Sequence, residues 1–165
     1  VTEYVEPRIK FVFSGEALAG TIYGFVTAMA VMAALADKDA NVFFMAGVAI
    51  GTSVALALTF VYSHWLAGSY SDQPHDGGRV AWRFELPTII GPIFLSIVMI
   101  LIKVGGNTYP YEAAEAAMWV GVVILFLLGF RIAQHGGRSR WAAFRFGIID
   151  AMIGAWLVLA KVLVH

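Results

Sequence analysis

One carboxylate, Asp150, stands inside the apolar run FRFGIIDAMIGAW. An ionisable group at the centre of a membrane-spanning helix costs on the order of 3 kcal/mol, and such groups mark ion or proton paths or fasten helices together. Asp150 lies about nine residues into its segment, roughly 14 Å deep at 1.5 Å per residue, which is close to a bilayer midplane. Hydroxyl donors that can reach it from other segments are Tyr23, Thr27 and Thr59. Two chemistries stay open: ion or proton handling, and a protonated or hydrogen-bonded carboxyl that locks helices. Met152 is two positions further on and points to another face, so it forms no local ligand pair with Asp150.

The remaining polar groups are less pointed. Glu112 and Glu115 share a face at the start of a helical segment, where the helix dipole and capping favour carboxylates. Glu16 opens the first apolar segment in the same way. Asp72, His75 and Asp76 form a short oxygen and nitrogen cluster in a glycine-bounded loop; it can hold a divalent ion weakly or serve as solvated loop polarity. His64 and His135 fall near segment ends, where histidine is either interfacial or pH-sensing. The methionines, Met29, Met32, Met45, Met99, Met118 and Met152, are spread over the chain, as expected of packing residues. Cysteine is absent. No nucleophile motif, phosphate loop or metalloprotease signature occurs. Neither an enzyme nor a resident cofactor is expected; a transient divalent metal is compatible with the sequence.

The elements that must position these groups are membrane spans. Of 165 residues, 60% are hydrophobic and 13% charged, with a mean hydropathy of +0.79, far from the balance of a water-soluble domain. Formal charges cancel, so nucleic acid is not an expected partner. The polar opening, VTEYVEPRIK, does not read as a cleavable signal. Segments long enough to cross a bilayer run over about 15–36, 41–66, 87–104, 113–134 and 141–163. The third carries Pro87 at its start and Pro92 one turn on, which predicts a kinked entry. Turn residues in DKDAN, SDQPHDGG, GGNTYP and HGGRS separate the segments.

The fold class expected is therefore all-α: a polytopic five-helix bundle forming one domain over residues 1–165, with no room for a separate soluble unit. With the N-terminus inside, Arg8, Lys10, Arg79, Arg83, Arg131, Arg138, Arg140 and Arg145 fall on the cytoplasmic side, against Lys38, Lys103 and Lys161 outside. The bias predicts N-in, C-out. Tryptophans near span ends fit interfacial anchoring.

Small residues recur at helical spacing. Gly20 and Gly24, Gly47 and Gly51, and Gly147 with Ala151 and Gly154 let backbones approach closely, which in lipid substitutes for the missing hydrophobic drive. They pack helices within the chain or form a homodimer face. No inverted repeat is visible.

The segment ILFLLGFRIAQHGGRSRWAAFRFGIIDAMIGAW, together with YGFVT in the first span and AGVAIGTSVALAL in the second, resembles the vacuolar iron transporter family. The resemblance implies a five-helix, dimeric fold that exchanges Fe2+ or Mn2+ for protons. Tyr23 stands where that family has the aspartate of its DG pair, and Ala55 and Thr59 stand where it has a methionine and a glutamate. The acidic extension between the second and third spans is reduced here to AGSYSDQPHDGGRVAWRFE. Two functions are therefore expected: a proton-coupled transporter of a divalent metal or other cation, or a non-transporting accessory subunit of a membrane complex. The expected location is a bacterial plasma membrane, with lipid and a homodimer or larger complex as partners.

Overall fold

The computed structural model describes residues 15–36, 41–69, 77–106 and 108–164. It consists of α1 (Gly15–Leu35), α2 (Val42–Ser69), α3 (Gly77–Gly106), α4 (Pro110–His135) and α5 (Arg140–Val164). No strand occurs among the described residues. Each of the five helices is long and apolar enough to cross a membrane. Large apolar side chains also cover the outside: Phe43, Val104 and Leu163 are 68%, 74% and 80% exposed. A surface of that kind needs lipid around it, and the chain is an integral membrane helical bundle.

The third helix differs from expectation. It begins at Gly77 rather than near residue 87, although its apolar span is Glu85–Gly106. Hydropathy registers the hydrocarbon-crossing part, whereas helix formers continue through RVAWRFE into the polar stretch. Most of the expected loop between the second and third spans is thus helix. Pro87 and Pro92 lie inside α3, both buried, rather than marking where it starts.

Helix α1 touches each of the other four, as α4 also does. Its most extensive contact is with α3, and the other large seams are α2 on α3 and α4 on α5. Helix α5 meets α4 and α1, while α2 and α5 share no contact among the described residues. The core follows from this arrangement. Met29 and Met32 of α1 meet Met45, Leu95, Met99, Met118 and Leu125, all fully buried. Unbranched thioether chains fill irregular space between helices, so the methionines are packing residues, except Met152, which is exposed.

Glycines set how closely the helices approach. A Cβ on Gly24 would lie 2.0 Å from the Thr88 carbonyl oxygen, and one on Gly91 would lie 2.6 Å from the Phe25 amide nitrogen. Helices α1 and α3 therefore cross backbone to backbone at this pair. Gly20, one turn earlier, is half-buried. The chain turns between α4 and α5 through Gly137, whose φ is +72°, a conformation that glycine adopts without steric cost.

Candidate functional site

Helix α5 presents Ala143, Gly147, Asp150, Gly154 and Val158 along one side, a three-and-four spacing that makes a single face. Ala143, Gly147, Gly154 and Val158 are buried. A Cβ on Gly147 would meet the Phe126 carbonyl oxygen at 2.7 Å, and one on Gly154 would meet Leu125 at 2.9 Å. Asp150 is half-buried on the same seam. Its carboxylate lies over Gly129 of α4, where a Cβ would be 2.1 Å from Oδ2 and 2.9 Å from Cγ. The side chain thus occupies a notch that exists because residue 129 has no side chain. Among the described residues no hydrogen-bond or ion-pair partner reaches the carboxylate.

The expected donors do not converge on it. The Tyr23 ring packs edge-on against Phe60 of α2, with centroids 6.2 Å apart and planes at 80°. The Thr59 hydroxyl donates to the Ala55 carbonyl of its own helix at 2.8 Å, and Ser63 donates to the Thr59 carbonyl at 2.8 Å. Thr27 is half-buried on α1. Helices α2 and α5 share no contact among the described residues, so the fold does not bring Thr59 to Asp150. Among the described residues no hydrogen bond joins these groups to Asp150, whose carboxylate is seated on Gly129.

Other expected groups separate clearly. Glu112 Oε2 accepts the Tyr109 backbone N–H at 3.0 Å, so this carboxylate caps α4. Glu115 is half-buried one turn on. His135 Nδ1 lies 3.1 Å from the Arg131 carbonyl oxygen. Asp72, His75 and Asp76 lie outside the described residues, as do the side chains of Glu16 and His64. Among the described residues no group of three or more histidines and acids could hold a metal ion.

The glycine pair Gly47 and Gly51 is exposed, with nothing within 4 Å of a Cβ at either position. By contrast, Gly24, Gly91, Gly121, Gly129, Gly147 and Gly154 all sit in tight contacts. A groove of about 500 Å³ runs between α1 and α5, lined by Val26, Ile149, Met152, Ile153, Trp156 and Leu157. It contains no polar side chain, and Asp150 is not part of it.

Sequence reasoning missed the receiving side of these seams: Gly91 beneath Gly24, Gly129 beneath Asp150, and the buried hydroxyls Ser53, Thr88 and Ser96. Ser53 donates to the Ala49 carbonyl at 3.0 Å, whereas Ser96 Oγ has no partner among the described residues. The signal was present in α3 as Thr88, Pro92, Ser96 and Met99, a buried stripe at helical spacing.

No family model, curated protein or solved structure matches the chain.

Proposed function

We propose that the chain is a non-transporting subunit of a membrane assembly, working through its helix faces rather than through an internal path. The observation that carries this reading is the open pair Gly47 and Gly51 on α2, since six other span glycines are filled by a neighbouring helix. Small residues at that spacing admit a second helix at close range. The occupant is a second copy of this chain or another membrane protein, on a scaffold of the iron-transporter type with its N-terminus inside, in a bacterial plasma membrane. Tyr23 packs on Phe60, Thr59 bonds within its own helix and Asp150 sits over Gly129, and this lack of convergence supports the same reading.

The chain has no native cysteine, so single-cysteine variants report proximity cleanly. Gly47→Cys in native membranes is expected to give a cross-linked product with a short bifunctional maleimide, while Val104→Cys, on an exposed part of α3, gives none. Absence of a product from both Gly47→Cys and Gly51→Cys would remove the α2 interface.

Asp150 favours a second reading, proton-coupled cation transport, because a carboxylate near mid-membrane without a donor is a functional group by default. Uptake of Fe2+ and Mn2+ into proteoliposomes containing a pH dye separates the two. The subunit reading expects no flux above empty liposomes. Metal entry coupled to proton movement and abolished by Asp150→Asn would establish transport instead.

A further inference from the structure

The groove between α1 and α5 has a charged end that its lining does not include. Ile149, Met152 and Trp156 line the groove from α5, and the stripe they form, at spacings of three and four, continues one turn back to Arg145 and a further turn to Trp141. Arg145 is exposed and has no carboxylate partner among the described residues. The nearest acid on the same helix, Asp150, faces the α4 seam instead. Trp141 is 71% exposed and stacks on Phe144 with centroids 5.9 Å apart, as an aromatic at headgroup level does.

The length fits one acyl chain. From Arg145 to Trp156 the helix rises roughly 16 Å at 1.5 Å per residue, about the length of the chains that fill half of a ~30 Å hydrocarbon core, and the long arginine side chain reaches back toward the headgroups. The volume, about 500 Å³, suits a hydrocarbon chain. A guanidinium at the mouth adds what bulk hydrocarbon lacks, a planar fork for phosphate oxygens. We propose that this groove binds one anionic phospholipid, with an acyl chain along Ile149, Met152 and Trp156 and its phosphate on Arg145.

Trp156 lies in the groove and supplies the readout. The full chain is reconstituted in phosphatidylcholine vesicles containing the same mole fraction of either brominated phosphatidylglycerol or brominated phosphatidylcholine. The Trp156 share of the fluorescence is isolated by comparison with Trp156→Phe. The anionic quencher is expected to quench that share several-fold more than the zwitterionic one. Arg145→Gln should abolish the difference, while Arg145→Lys keeps part of it and Arg131→Gln, on α4, keeps it all. Equal quenching of the native chain by both lipids would overturn the proposal, because the groove would then hold bulk lipid. Quenching by neither would also overturn it, because the groove would then be covered by protein such as a second copy. The native-chain comparison decides even if Arg145→Gln fails to fold.

Discussion

Gly24→Ala is expected to lower the stability of the bundle by about 2–3 kcal/mol, the upper part of the range for inserting a methyl group into a packed interior. The added carbon would lie 2.0 Å from the Thr88 carbonyl oxygen and 2.8 Å from its carbon. These are backbone atoms and cannot rotate away. Relief requires α1 and α3 to separate by more than an ångström, toward the 3.5–4.0 Å of ordinary contact, which loosens Phe25, Met29 and Leu95 around the crossing. Alanine's better helix propensity returns only about 1 kcal/mol. Gly91→Ala acts on the same crossing from the other side, 2.6 Å from the Phe25 nitrogen, and is expected to be similarly severe. Gly47→Ala is the control, with nothing within 4 Å. Thermal unfolding in detergent should show a clear loss for the first two and none for the control. An unchanged midpoint for Gly24→Ala would mean that the helices do not cross here.

The second large effect is a coupling between Gly129 and Asp150. Gly129→Ala alone is expected to cost about 1–2 kcal/mol, because the new carbon, 2.1 Å from Oδ2, drives the carboxylate out of its notch. The atom displaced is the end of a side chain, so the backbone stays in place and the penalty is smaller than at Gly24. With Asp150→Ala in the background only the residue-150 Cβ remains, 3.2 Å from the new carbon, and Gly129→Ala should cost much less. The resulting interaction energy, about 1–2 kcal/mol, lies within the range for residues in contact. Purely additive effects would show that the carboxylate lies elsewhere. Asp150→Asn keeps the shape and tests charge alone; since a charge near mid-membrane is costly, this variant should be at least as stable as the native chain.

The glycines show how position, rather than residue type, decides consequence. Gly24, Gly47 and Gly147 read alike in the sequence, each in a small-residue spacing suited to helix contact. In the bundle Gly24 meets a carbonyl of α3, Gly147 meets one of α4, and Gly47 meets nothing. Spacing along one helix shows that a close approach is possible. It does not name the partner, which depends on the order of the helices around α1.

The order of amino acids reveals the five spans, because apolar length is a local property that a bilayer reads directly. It also determined that Asp150 is an intramembrane carboxylate and that most methionines serve packing. It misplaced the start of α3, because hydropathy ends where lipid ends while backbone hydrogen bonding continues through Gly77–Glu85. The packed bundle alone shows that Asp150 faces Gly129, that Tyr23 faces Phe60, and that Thr59 lies on a helix out of contact with α5 among the described residues. Those outcomes follow from which helices share a seam. With lipid as apolar as the side chains, hydrophobicity does not choose among seams, and the matching of small residues across facing backbones does.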